Sequence, residues 1–201
     1  MNPTSTLICI PDISGFTEFM GETDFELSSK VIPSLLNNII YSNTIGLKVS
    51  EIEGDAILFY KKDELPTLTA LVEQCCYFYT EFYKQLAVLR KRHSAMDDAV
   101  HIPKILGLKI ILHYGKEVGL TKVGNSIKLF GEDLIVAHRL LKNDIPLEEY
   151  LLLSGNLTDY YKENDLAQKF EWGNLMEHST DYPQLGKLTY HYIGFKPLVQ
   201  K

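Results

Sequence analysis

Two runs rich in apolar and β-branched residues, Leu47 to Ile52 and Ala56 to Tyr60, are separated only by Glu53, Gly54 and Asp55. Three residues are too few for a crossover, so the runs pair as an antiparallel hairpin, with Gly54 free to adopt the angles of a tight turn. That hairpin commits the chain to a sheet. Leu7 to Ile10 is a short apolar run stopped by Pro11 and reads as a buried strand. Leu106 to His113 alternates and is β-rich, and Leu151 to Leu153 and Leu188 to Phe195 read as further strands. Apolar residues recur at helical spacing from Phe16 to Asn43 (Val31, Leu35, Leu36, Ile39, Ile40). Pro33 is expected near the start of the second half of that segment, since a helix interior tolerates proline poorly. A long helix is expected from Pro66 to His93, with Leu68, Leu71, Val72, Cys75, Phe78, Tyr79 and Phe82 turned inward. A glycine-containing loop leads to a helix at Leu134 to Leu141, and another helix is expected at Leu157 to Lys169. This alternation predicts an α+β fold with a ferredoxin-like βαββαβ core, its mixed, mostly antiparallel sheet covered by helices.

A chain of 201 residues with 45% hydrophobic residues can bury one sizeable core, and no linker, repeat or composition shift divides it. A single domain over residues 1–201 is expected. The net charge of -6 argues against a surface built for nucleic acid or anionic lipid. Arg90, Lys91, Arg92 and His93 form a local basic cluster that reads as a solvated helix end. Three cysteines without CxxC spacing suit a reducing compartment rather than a disulfide framework or a zinc site. The N-terminus lacks a signal-peptide pattern, and no stretch reaches the roughly 18 apolar residues of a membrane span. The expectation is a cytoplasmic protein with neither nucleic acid nor membrane as partner.

Two aspartates stand where a sheet can aim them at one point. Asp12 follows the first strand, and Asp12-Ile13-Ser14-Gly15-Phe16-Thr17 leads into a helix whose first N–H groups are free to hold phosphate oxygens. Asp55 lies in the hairpin tip. Paired carboxylates beside such a helix start suit one or two Mg²⁺ ions bridging a triphosphate. An alternative stands beside this one: Asp12 caps the helix, and Gly-Asp is ordinary hairpin chemistry. His113 and His138 have no ligand-type neighbours at metal spacing and read as structural or solvated. Ser14 and Ser154 have no neighbouring histidine pattern that would make a nucleophile. Tyr77, Phe78, Tyr79, Phe82 and Tyr83 read as mostly core, and Gly115, Gly119 and Gly124 as turn glycines.

The run from Asp12 to Thr17 resembles the first-strand signature of class III adenylate and guanylate cyclases. Glu51-Ile52-Glu53-Gly54-Asp55-Ala56 is similar to their hairpin signature, and Leu108 to Gly115 to their next strand and turn. Leu129-Phe130-Gly131-Glu132-Asp133-Leu134-Ile135-Val136-Ala137-His138-Arg139-Leu140 is similar to the loop and helix that carry their transition-state residues. The four signatures occur in family order over about residues 6 to 142, which implies a core of the nucleotide cyclase type.

The resemblance implies two Mg²⁺ or Mn²⁺ ions per site, held by Asp12 and Asp55 and joined by the Ile13 carbonyl. It implies backbone contacts from Gly15, Phe16 and Thr17 to the phosphates of a nucleoside triphosphate. Arg139 falls on the position of the arginine that stabilises charge on the transferring phosphoryl group. The product would be a 3′,5′-cyclic nucleotide with release of pyrophosphate. The family's sites form between two chains, so a head-to-tail homodimer is implied, with Asp12 and Asp55 of one chain facing Arg139, Glu51 and Lys128 of the other. The sequence departs from the pattern at Ile135, where the family carries a ribose-orienting asparagine, and isoleucine has no hydrogen-bonding group. Glu51 and Lys128 fall on the base-reading positions; they can read guanine or uracil, or form a plain salt bridge. The triphosphate-binding lysine has no clear counterpart, Lys187 being a candidate by position alone. Three functions are therefore open: a divergent cyclase, a catalytically degenerate domain that binds nucleotide or protein, and a two-metal phosphohydrolase or nucleotidyltransferase.

Overall fold

The structure, a computed structural model, describes residues 4–62, 64–124, 126–161, 166 and 170–199. Its strands are β1 (Thr4–Ser14), β2 (Lys48–Glu53), β3 (Ala56–Lys62), β4 (Gly107–Val123), β5 (Ser126–Phe130), β6 (Tyr150–Ser154), β7 (Met176–Tyr182) and β8 (Gly186–Gly194). The helices are α1 (Phe16–Glu22), α2 (Phe25–Tyr41), α3 (Leu68–Arg92), α4 (Ile102–Ile105), α5 (Glu132–Leu141) and α6 (Gly155–Tyr161). The sheet runs β2-β3-β1-β4-β6-β8-β7, with β5 paired to β4 off this path. Every pairing is antiparallel except β4 with β6. The expected α+β architecture is thus the observed one.

Strand alternation sorts the apolar residues onto two faces. Leu7, Cys9 and Ile13 of β1, with Ile57 and Phe59 of β3, face the larger core built with α2 and α3. Ile8 and Ile10 face the smaller core, where Ala137 and Leu140 of α5 pack. Phe59 stacks on Phe78 of α3 with ring centroids 5.8 Å apart, joining sheet to helix. The basic end of α3 (Arg90, Lys91, Arg92) is exposed in its last turn, where it complements the helix dipole.

Several elements differ from the sequence expectation. The first strand does not stop at Pro11 but continues to Ser14. Pairing with β4 is unbroken across Pro11, whereas pairing with β3 stops at Cys9 and resumes at Asp12. The missing proline N–H thus falls on the β3 side, and the ladder closes again around it. Asp12 therefore sits inside a strand and caps no helix; the N-cap of α1 is Gly15, with no side-chain cap.

The segment from Phe16 to Asn43 is divided at Asp24, not at Pro33. The Asp24 carboxylate accepts from Leu27 N–H at 2.7 Å and starts α2, a cap worth about 1 kcal/mol. Pro33 lies inside α2, where the bond it would donate to Ser29 is lost. Burial of Leu27, Val31, Leu35 and Ile39 on the same helix carries the element through.

The glycine-containing stretch after His113 is not a loop: β4 runs on to Val123 and returns as β5. The strand β7, with its largely exposed polar residues, was not expected. Of the helix expected at 157–169, α6 covers residues up to Tyr161; positions 162–165 and 167–169 lie outside the described residues.

Candidate functional site

Asp12 and Asp55 are brought together by the β1–β3 register. Asp12 stands opposite Ala56, and Ile13 N–H donates to the Asp55 carbonyl at 3.1 Å, which fixes the hairpin tip against β1. Burial, and then the charge of Asp12, raise the Asp55 carboxyl above its ordinary value, while Lys109 works in the opposite sense. Lys109 is the β4 residue opposite Asp12, and its ammonium lies 3.0 Å from Asp12 Oδ2.

Arg139 is placed by the packing of α5 against the sheet. The turn before α5 lies against β4, where Gly115 leaves room for the Asp133 side chain; a Cβ on Gly115 would come within 2.6 Å of Asp133 Cβ. Asp133 then accepts from Glu117 N–H at 3.0 Å and contacts His113 Nε2 at 3.1 Å. With its first turn so anchored, α5 crosses the sheet face over β1. His138 reaches to within 3.9 Å of Glu53 on β2.

The result is a cleft of about 480 Å³ whose walls include Asp12, Asp55, Glu53, Ile135, His138 and Arg139. This is within the usual size of small-ligand sites. Both carboxylates and the arginine border the same cleft of one chain, whereas the resemblance implies that the arginine comes from a second chain. A neighbouring cavity of about 540 Å³ shares Leu134, Ile135 and Arg139 with it and is otherwise walled by residues such as Phe130, Pro183, Gln184 and Leu185.

Other candidate residues fall elsewhere. Gly15, Phe16 and Thr17 do not border the 480 Å³ cleft, and Ile13 is buried behind it. Glu51 and Lys128 are joined across β2 and β5 as an ion pair, so each charge is met by the other. Lys187 is exposed on the β7–β8 hairpin, paired in register with Asp181. Ser154 does have a histidine neighbour: His113 Nδ1 lies 2.9 Å from its hydroxyl, because β4 and β6 run side by side in parallel. The serine is 3% exposed and also accepts from Leu157 N–H at 3.3 Å, capping α6, so the array is a buried tie and not a nucleophile.

Among the described residues, no group of three or more His, Cys, Asp and Glu side chains is placed to hold a metal. Two hard carboxylate donors, with backbone carbonyls nearby, still suit Mg²⁺ or Mn²⁺, which commonly keep few protein ligands and complete their shells with water and phosphate. Lys109 is the residue of this site that carried no sequence signal of its own. A lysine in an alternating strand reads as solvated, and only the β1–β4 register reveals what it faces.

Residues 32–150 match the model of a family described as "Protein of unknown function (DUF2652)". An uncharacterized protein of Mycobacterium tuberculosis is 27% identical over 148 residues, covering 74% of this chain and 66% of that protein, just short of two thirds of its length. The fold is similar to that of the guanylyl cyclase Cya2 (TM-score 0.67, 13% identity, 96% of this chain and 93% of that one). It is similar also to the dimeric guanylyl cyclase domain of a fusion protein from the aquatic fungus Blastocladiella emersonii (TM-score 0.61, 16% identity, 96% and 97%). Against a bacterial light-regulated adenylyl cyclase the TM-score is 0.62 at 15% identity, with 95% of this chain covering 52% of that one, so the chain spans about half of that relative. Among the described residues no helix is long and apolar enough to cross a membrane.

Proposed function

We propose, for a chain that belongs to the family of unknown function DUF2652, a divergent nucleotidyl cyclase function in which a nucleoside triphosphate becomes a 3′,5′-cyclic nucleotide and pyrophosphate. The observation that carries this reading is the convergence of Asp12, Asp55 and Arg139 on one cleft.

Asp12 and Asp55, with the Ile13 carbonyl, would hold two Mg²⁺ or Mn²⁺ ions. Bound there, such ions neutralise triphosphate charge and make the ribose 3′-hydroxyl easier to deprotonate. The chain's own contributions are positional and electrostatic. The Arg139 guanidinium stabilises the charge that develops on the phosphoryl group as pyrophosphate leaves. Leu134 and Ile135 line the cleft beside it with apolar surface. Gly15, Phe16 and Thr17, set off from the cleft wall, would offer N–H groups only to a phosphate chain reaching past Asp12. Glu51 and Lys128 would read the base once their mutual pair opens. A head-to-tail homodimer, which the resemblance implies, is the second arrangement open to this proposal: there Asp12 and Asp55 would face Arg139, Glu51 and Lys128 of the second chain instead of the Arg139 of their own.

A second reading, a domain that binds nucleotide without turning it over, is favoured by Ile135, which stands on the cleft wall where the class III cyclase pattern has asparagine. Product analysis decides between them. Purified protein is incubated with Mn²⁺ and ATP, GTP, UTP or CTP, beside the Asp12→Ala variant. A cyclic product lost in the variant supports the cyclase reading. Linear product would indicate a phosphohydrolase or nucleotidyltransferase, and binding without product the degenerate domain.

A further inference from the structure

We infer that Lys109 is an internal counter-ion that a divalent cation must displace from Asp12, so that cation uptake is governed by a competition within the chain. The inference rests on the reading of Asp12 and Asp55 as the cation site.

The competition follows from where the three side chains stand. Asp12 is 7% exposed, and the Lys109 ammonium lies 3.0 Å from its Oδ2. Lys109 is opposite Asp12 in the β1–β4 register, and both side chains point to the face covered by α5. On the other side of β4 the β6 register begins with Ile110 against Leu151, and the preceding Tyr150 is buried, its hydroxyl accepting from Asn143 Nδ2 at 2.8 Å. Asp12 is the ion-pair partner of Lys109 among the described residues.

A cation arriving at Asp12 meets an oxygen already neutralised, and it must also tolerate an ammonium a few ångströms away. Two like charges at such separations in a partly buried site repel strongly, because screening by water is incomplete. Occupancy of Asp12 by a metal and by Lys109 is thus mutually exclusive or nearly so. Asp55, which carries no ion pair of its own among the described residues, is the more accessible of the two carboxylates.

The test is Mn²⁺ binding to the full chain, followed by titration calorimetry and by the loss of the free-ion electron paramagnetic resonance signal. Lys109→Met keeps most of the aliphatic stem and removes the charge; it should bind Mn²⁺ about tenfold more tightly than the unmodified chain. Lys109→Arg keeps the charge and should bind no more tightly than the unmodified chain. An unchanged or weakened affinity in a folded Lys109→Met protein overturns the inference while leaving the cation site intact. Should that variant not fold, the unmodified chain supplies the answer through the ¹⁵Nζ resonance of Lys109, assigned by its absence in Lys109→Arg. Saturating Mg²⁺ should shift that resonance as the pair opens, and an unmoved signal overturns the inference. Failure of all three proteins to take up Mn²⁺ removes the cation-site reading itself, and this inference with it.

Discussion

His113 Nε2 lies 3.1 Å from Asp133 Oδ1, and through this contact β4 holds the first turn of the helix that carries Arg139. Burial alone would raise the Asp133 carboxyl, but bonds from His113 and from the Glu117 and Lys116 N–H groups outweigh it and hold the group below its ordinary value of 3.8. A carboxylate favoured in the folded state adds stability above its unfolded value, and that stability is lost as pH falls through the lower folded value. Acid unfolding of the native chain should therefore steepen below about pH 4, and Asp133→Asn should remove that part of the dependence. At neutral pH the same variant should be less stable by about 1–3 kcal/mol, since charge-assisted bonds to a partly buried carboxylate are lost. Melting temperatures of both proteins across this range check the sign as well as the size.

Gly15 joins β1 to α1 with φ 77°, and a Cβ there would lie 2.1 Å from the Ile105 carbonyl oxygen at the end of α4. Both the left-handed backbone and the clash with another backbone segment oppose any side chain. Gly15→Ala should cost at least about 2 kcal/mol in chemical denaturation. A near-neutral result would mean that α4 can move away from the β1–α1 turn.

The hairpin of β2 and β3, the helix α3 and the helix α5 were legible because each carries a strong local signal: a three-residue gap, or a sustained apolar stripe. The strand β7 was not, since Met176, Glu177 and His178 are exposed and leave no alternation to detect. The far half of β4, which contains Gly115 and Gly119 and is partly solvated, and its partner β5 hide for a similar reason. Asp12, Asp55 and Arg139 could be named from residue order, yet their shared cleft depends on how α5 is anchored. The contacts Lys109–Asp12 and Ser154–His113 join residues 97 and 41 positions apart, respectively. Strand register alone creates them, and register of distant strands leaves no mark in local sequence.

The Glu51–Lys128 pair links β2 to β5 at the sheet edge, with the lysine side chain 36% exposed. A half-solvated pair of this kind contributes little to stability, so Lys128→Ala should change it by less than about 1 kcal/mol. Binding should respond more. If the opened pair reads guanine or uracil through one acceptor and one donor, loss of the donor should weaken GTP and UTP about five- to tenfold relative to ATP. Competition binding with the four triphosphates measures those ratios, and unchanged ratios would identify the pair as an ion pair only.

Ile135 is 53% exposed and borders both cavities beside Arg139. Replacing an exposed apolar residue on a helix surface disturbs packing little, so Ile135→Asn should alter stability by no more than about 0.5 kcal/mol. Its effect on chemistry should be much larger if a missing ribose contact limits the reaction. Orientation of a bound reactant supplies a large share of barrier lowering, and one restored hydrogen bond that fixes the ribose should raise the cyclisation rate by about tenfold or more. The cleft already holds the carboxylates and the arginine, so a single side chain is a sufficient change to test. Rates of cyclic product formation under saturating Mn²⁺ and each triphosphate provide the readout. A rate that does not rise would place the limitation elsewhere, at the Lys109–Asp12 pair or in the wall formed by Leu134 and Leu141, and would favour a domain that holds nucleotide without converting it.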